Sequence, residues 1–200
     1  MILLQSLTIN ESRTMDFLIR NFNEKNSINE IARRLNLSPR GAYKILKKLE
    51  KIEAITPEKI GNAIYYKTNF NDEIGIKLSE FVLVQNELNP YLQVQEADLK
   101  RLRKIASACV LFGSVIEKGR EANDIDVMFV IKKDGLKKLA SAIKDIQVIK
   151  IKKIHRLVQT KEDLAENIKK KDKVIMSIIK TGKVLWGAEI IVEAIKNGTS

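Results

Sequence analysis

Two hundred residues with 44% hydrophobic content allow one large domain or two small ones, each with a real apolar core. The single cysteine, Cys109, excludes a disulfide and a thiolate-rich zinc site. The single histidine, His155, excludes a His-based triad or His cluster and reads as a structural or surface residue. The net charge of +11 sits mostly in the second half: residues 1–90 carry net +2 and residues 91–200 net +9, which favours polyanionic partners such as nucleic acid or nucleotide phosphate.

No apolar run reaches membrane-spanning length. Met1-Ile2-Leu3-Leu4 is too short, and lacks the basic flank, for a signal peptide, so a cytoplasmic protein with no membrane partner is expected. Cys109 falls in an apolar run and reads as a core thiol.

Along the chain, Ser12 to Phe22 is amphipathic, with Met15, Leu18, Ile19 and Phe22 on one stripe. Ser27-Ile28-Asn29-Glu30 has the form of a capping box and opens a helix through Leu35. Asn36-Leu37 makes a turn. Ser38-Pro39 then starts a third helix, with Ala42, Ile45, Leu46 and Leu49 as its buried face. Ala54 to Pro57, a turn at Gly61-Asn62, and Ala63 to Lys67 predict a β-hairpin.

This order of elements over residues 10–70 resembles the winged helix-turn-helix regulators of the MarR and ArsR kind, and implies DNA as partner. The chemistry of the third helix agrees. Ser38, Arg40 and Tyr43 are placed to reach base edges or phosphates, while Lys44, Lys47, Lys48 and Lys51 would neutralise phosphates, joined by Lys59, Asn62 and Lys67 from the wing. A solvated helix face, or a winged helix used for protein contacts, is the plainer alternative. Asp72 to Glu87 predicts a further helix, which in such regulators often pairs two subunits, so a homodimer is expected. Asn89-Pro90 marks the expected domain boundary, giving a winged-helix domain over 1–90 and a second domain over 91–200.

After a basic amphipathic stretch from Val94 to Ala106, an apolar run, Ala108 to Phe112, ends in Gly113-Ser114. After nine intervening residues Asp124-Ile125-Asp126 leads another apolar run to Ile131. The pattern predicts strand, tight turn, short helix, strand. Gly113 lets the backbone come close to a ligand, and Ser114 is expected to cap the short helix, whose free N–H groups favour phosphate. Asp124 and Asp126, two apart on a strand, share one face and suit Mg²⁺ (or Mn²⁺) bridging nucleotide phosphates.

This segment resembles the core of the polymerase-beta-like nucleotidyltransferases, in particular their minimal members. Gly113, Ser114, Asp124 and Asp126 fall on the matching positions, and Gly119 and Asn123 sit where small members often have Gly and a small polar residue. The resemblance implies that Gly113 and Ser114 hold a nucleoside triphosphate and that Asp124 and Asp126 are catalytic and ligate the metal.

Beyond Ile131 the chain predicts a helix over 135–144, a strand over 147–157, a helix capped by Thr160, a helix over 172–180, a short strand between Gly182 and Gly187, and a last helix to about Lys196. The expected fold is α+β: a winged helix-turn-helix followed by a small α/β nucleotidyltransferase-type mixed sheet with C-terminal helices. Active family members usually carry a third carboxylate on the next core strand, here 147–154, and that stretch has none. Lys150 and Lys152 occupy the expected face.

Two functions compete. One is a DNA-binding protein whose minimal nucleotidyltransferase domain moves a nucleoside monophosphate onto a hydroxyl of a protein, an RNA or a small molecule; the resemblance allows a partner protein of the toxin–antitoxin kind. The other is a transcriptional regulator whose second domain only senses nucleotide or is inactive, which the absent third carboxylate favours. RNA modification by the basic second half is a weaker third.

Overall fold

The computed structural model describes residues 7–85 and 88–199. The opening Met1–Leu4 and the expected helix end at Glu87 lie outside the described residues. The chain divides into two compact units, Met1–Leu83 and Val84–Ser200.

The first unit runs α1 (Ile9–Arg20), β1 (Asn26–Ser27), α2 (Ile28–Leu35), α3 (Pro39–Lys51), β2 (Ile55–Ile60), β3 (Ala63–Thr68) and α4 (Glu73–Val84). Thr8 and Glu11 form a reciprocal capping box, so α1 begins three residues before the predicted start and ends before Phe22. Ser27 Oγ accepts from the Glu30 N–H, while the Glu30 carboxylate turns to Arg33 and Arg34. Asn36 closes α2 in the left-handed conformation, φ 54°, a geometry that asparagine tolerates better than most residues. Ser38 caps α3 by accepting from the Gly41 N–H, with Pro39 at the first helical position.

The wing is a two-residue hairpin pairing Ile60 with Ala63, and Gly61 takes its first position at φ 60°, where a type II′ turn favours glycine. The sheet order is β1-β3-β2, and the two-residue β1 adds a third strand that the sequence reading did not include. Met15, Leu18, Ile19, Ile31, Ala32, Leu46 and Leu49 are buried together with Tyr66 from the wing.

The second unit runs α5 (Pro90–Leu99), a 3₁₀ turn over Lys100–Lys104, β4 (Ala106–Phe112), α6 (Ser114–Lys118), a 3₁₀ turn over Gly119–Glu121, β5 (Asp124–Ile131), α7 (Leu136–Gln147), β6 (Lys153–Gln159), α8 (Lys161–Lys169), α9 (Lys173–Thr181), β7 (Lys183–Trp186) and α10 (Ala188–Thr199). The expected helix over 94–106 is α5 plus the 3₁₀ turn. Asn89 caps α5 from the Leu92 N–H, so the helix starts earlier, and it gives way to β4 at Ala106.

The sheet is mixed. Its order is β6-β5-β4-β7; β5 and β6 run parallel and the other pairs antiparallel. Ile125, Val127, Phe129 and Ile131 alternate onto one face, in a core with Leu92, Leu99, Leu102, Leu139, Ile143 and Ile146. Asp124, Asp126, Met128 and Val130 therefore share the opposite face, the one whose neighbours are α8, α9 and α10. Thr160 caps α8 in a reciprocal box with Asp163, as its sequence predicts.

One expected element is corrected. The predicted strand over 147–157 begins only at Lys153: α7 continues to Gln147, and residues 148–152 form a turn. Side-chain bonds explain the shift. Gln147 Nε2 donates to the carbonyls of Lys150 (3.3 Å) and Lys152 (3.0 Å), and its Oε1 accepts from the Ile154 N–H at 2.8 Å. Lys150 tucks inward to pair with Asp98 at 2.7 Å and with Gln95. Lys152 donates to the Arg120 carbonyl and lies 5.0 Å from the Tyr91 ring centroid. Burying the lysine stems turns Val148, Ile149 and Ile151 outward, so the local apolar alternation that suggested a strand belongs to an exposed turn.

Candidate active site and nucleic-acid interface

The register of the sheet builds the site. Antiparallel pairing sets Phe112 beside Asp126, so the turn that follows β4 arrives at the Asp pair. Gly113 adopts φ 72°, and a Cβ there would stand 2.4 Å from Asp126 Oδ2. Only glycine fits both the left-handed backbone and the close approach. The carboxylates and the Gly-Ser turn are thus brought into one place.

Ser114 differs from its expected role. It is the first residue of α6, Gly113 occupies the capping position, and no side chain caps the helix. The reason is geometric: the positive φ of Gly113 turns the chain one residue before Ser114, which already has helical geometry. Ser114 remains beside the turn, as half-buried as Asp126, while Gly119 is buried and Asn123 exposed.

The corrected start of β6 changes what completes the site. Parallel pairing sets Asp124 beside Lys153 and Asp126 beside His155. Paired residues of neighbouring strands project to the same face, so His155 joins the carboxylates. Its Nδ1 lies 3.2 Å from Asp124 Oδ2 and 3.8 Å from Asp126 Oδ1. Asp124, Asp126 and His155 offer three ligand atoms all within 4.8 Å of one another. Lys150 and Lys152, expected on this face, are instead held in the turn before the strand.

His155 is therefore the functional candidate that the sequence reading missed. No acid stands on β6, but the position facing the Asp pair is filled by a side chain that can ligate a metal. No local signal marks the delay of the strand to Lys153: Gln147 is an ordinary helix residue, and it acts through side-chain bonds to Lys150, Lys152 and Ile154 that exist only in the folded chain.

The electrostatics of the cluster are unfavourable without a cation. Partial burial raises the Asp126 pKa above the ordinary aspartate range, the Asp124 charge raises it further, and His155 opposes the shift. Cys109 is fully buried in β4, and burial pushes its thiol pKa well up, in keeping with a core role.

In the first unit, Arg40, Tyr43, Lys44, Lys47 and Lys51 recur at helical spacing along α3, opposite buried Ala42, Leu46 and Leu49. Arg40 and Lys44 are exposed and have no ion-pair partner among the described residues. Ser38 is exposed but spends its hydroxyl oxygen on the α3 cap, and Tyr43 keeps 48% exposure.

Three of the other expected cations are engaged within the fold. Lys47 pairs with Glu50 at 2.8 Å, and Lys67 pairs across the wing with Glu58 at 3.1 Å. Lys48 bonds both carboxylate oxygens of Glu11 at 2.9 Å, tying α3 to α1. Burial works against the Glu11 charge, yet bonds from Thr8 and Lys48 outweigh it and hold its pKa below the ordinary range.

Comparison with known proteins agrees with this division of the chain. Residues 95–189 match the family of polymerase beta nucleotidyltransferases, and residues 16–56 match a winged helix-turn-helix DNA-binding family. The chain joins a winged helix-turn-helix domain to a polymerase beta-type nucleotidyltransferase domain. Both Asp residues, the Gly-Ser turn and His155 lie inside the nucleotidyltransferase match, and the end of α1 with all of α2 and α3 lies inside the other. No curated protein matches. Among solved structures the chain is similar to the crystal structure of MepR, a transcription regulator of the Staphylococcus aureus multidrug efflux pump MepA. The identity is 18%, the likeness covers 52% of this chain and 82% of that one, and the TM-score is 0.37. Among the described residues, no helix is long and apolar enough to cross a membrane.

Proposed function

We propose that this protein binds DNA through α3 and the wing, and that its second domain binds a nucleoside triphosphate with a divalent cation and transfers a nucleoside monophosphate to an acceptor hydroxyl. The acceptor oxygen attacks the α-phosphorus, the bond to the β-phosphate oxygen breaks, pyrophosphate leaves, and the hydroxyl proton passes to solvent. The observation that carries this reading is the seating of the Gly113 backbone against Asp126, which joins a phosphate-approach turn to two carboxylates.

The residues fit a divalent cation. Asp124, Asp126 and His155 supply a compact mixed oxygen and nitrogen donor set, and the burial and the Asp124 charge that together raise Asp126 are penalties a bound cation relieves. Such a cation neutralises triphosphate charge when bound. The chain itself contributes position. Gly113 removes the side chain that would block approach, Ser114 beside the turn would be the hydroxyl nearest a bound phosphate, and β5 and β6 fix the three donors on rigid strands.

A second reading is favoured by one observation. β6 carries no carboxylate, and His155 stands where a third acid would face the Asp pair. The nucleotidyltransferase domain would then sense a nucleotide and alter DNA affinity, within an expected homodimer, without turnover.

The test is incubation of the protein with α-labelled nucleoside triphosphates, Mg²⁺ or Mn²⁺, and candidate protein and RNA acceptors. Label transfer lost in Asp124→Ala/Asp126→Ala establishes the transferase. Cation-dependent binding without label transfer or pyrophosphate release establishes the sensor instead.

A further inference from the structure

The donor set at the second domain's site is not all oxygen. His155 comes from β6 in parallel register with Asp126, and its Nδ1 faces both carboxylates. Separations of 3.2 and 3.8 Å match adjacent ligands around one ion, which for metal–ligand bonds near 2.1 Å stand about 3 Å apart at right angles. The donors need little movement to close on a cation. All three side chains keep access to solvent, so an ion and a phosphate can reach them.

We propose that His155 makes this a first-row transition-metal site, selecting Mn²⁺ and its heavier neighbours over Mg²⁺. The inference rests on the reading of Asp124 and Asp126 as metal ligands and adds what the third donor decides. Mg²⁺ prefers oxygen ligands and loses water reluctantly, while imidazole favours transition metals. Two carboxylates alone would discriminate weakly between Mg²⁺ and Mn²⁺. The added nitrogen raises affinity for the transition metal without a matching gain for Mg²⁺.

The chain has one histidine, so any nitrogen signal from an imidazole has a single source. The experiment uses the full-length protein without a histidine tag. Mn²⁺ binding is followed by electron paramagnetic resonance and Mg²⁺ binding by competition, for wild type, His155→Asp, His155→Ala and Asp124→Ala. Pulsed measurements on the Mn²⁺ complex read coupling to the histidine nitrogen, with ¹⁵N-histidine protein as isotope control.

Wild type is expected to bind Mn²⁺ at least about tenfold more tightly than Mg²⁺ and to show histidine nitrogen coupling. His155→Asp should keep binding but bring the ratio toward unity, without coupling. His155→Ala should lose Mn²⁺ affinity more than Mg²⁺ affinity. An unchanged ratio in both His155 variants, with no coupling in wild type, overturns the proposal; if Asp124→Ala still abolishes binding, the carboxylate site itself stands. Failure of wild type to bind either ion, with or without nucleoside triphosphate, overturns both.

Discussion

The two candidate sites carry charge of opposite sign. On α3 the charges are cationic, long and exposed, and several are already engaged: Lys47 with Glu50, and Lys48 with Glu11. On the sheet of the second unit the charges are short carboxylates fixed by strand pairing, close enough for one to raise the other's pKa. A cationic face attracts a polyanion without precise placement, and salt weakens it. A carboxylate pair repels phosphate until a cation stands between them, so placement decides everything. The residues beyond 90 carry net +9, yet their candidate catalytic cluster is acidic. Net charge thus speaks to the surface and not to the site.

Six variants break or sharpen that contrast, and the largest effect is expected in the second unit. Asp124→Ala/Asp126→Ala should abolish label transfer and lower metal-dependent nucleotide affinity by about 100-fold or more, while DNA affinity at fixed salt changes little. Calorimetry beside a DNA-binding titration checks both halves. A parallel loss of DNA binding would show that the sites are not separable.

Gly113→Ala comes next. Its Cβ would stand 2.4 Å from Asp126 Oδ2, on a backbone at φ 72°. Backbone strain predicts a loss of about 1–3 kcal/mol in stability, and displacement of Asp126 predicts a fall in metal affinity of about tenfold. Thermal unfolding with and without Mn²⁺ reads both. An unchanged metal-induced stabilisation would refute the seating of this turn against the carboxylate.

On α3, the predictions separate free cations from engaged ones. Arg40→Ala and Lys44→Ala should each weaken DNA binding across sequences and reduce the salt slope by about 1, with little change in stability. Lys48→Ala should cost about 1–2 kcal/mol because it leaves the buried Glu11 carboxylate without its cation. The sign with pH follows from the lowered Glu11 pKa. Its stabilising contribution is present above the unfolded pKa and is lost as pH falls through the folded one. Lys48→Ala should therefore flatten the acid limb of the stability curve. Chemical denaturation at several pH values checks this, and an unaltered acid limb would contradict it.

The smallest effect is at Asp126. Its pKa is raised, so its favourable contribution is present below the unfolded value and lost as pH rises through the folded one. Without metal at neutral pH, Asp126→Asn should raise Tm by about 1–3 °C. With saturating Mn²⁺ the order should reverse, because only wild type gains the binding energy. Scanning fluorimetry in both conditions shows whether that crossover occurs.

Much of this was legible in residue types alone. Ser38-Pro39 at a helix start, Thr160 before Asp163, Gly61-Asn62 between two apolar runs, and Asp-x-Asp after Gly-Ser each carry a local mechanism, and local mechanisms survive folding. What the sequence hid was tertiary. Val148, Ile149 and Ile151 alternate like a strand, but Lys150 bonds Asp98 from far along the chain and forces the segment into a turn. That displacement carried the third site position from the lysines to His155. The ion pair of Lys48 with Glu11 was likewise invisible, because its partners lie 37 residues apart along the chain.

The measurement that tests the central claim most directly is calorimetric titration of a non-hydrolysable nucleoside triphosphate into the full-length protein. It is run without divalent cation, with Mn²⁺, and with Mn²⁺ on Asp124→Ala/Asp126→Ala. The account predicts binding that requires Mn²⁺ and disappears in the variant. Binding that is equally tight without the cation, or that persists in the variant, would contradict it.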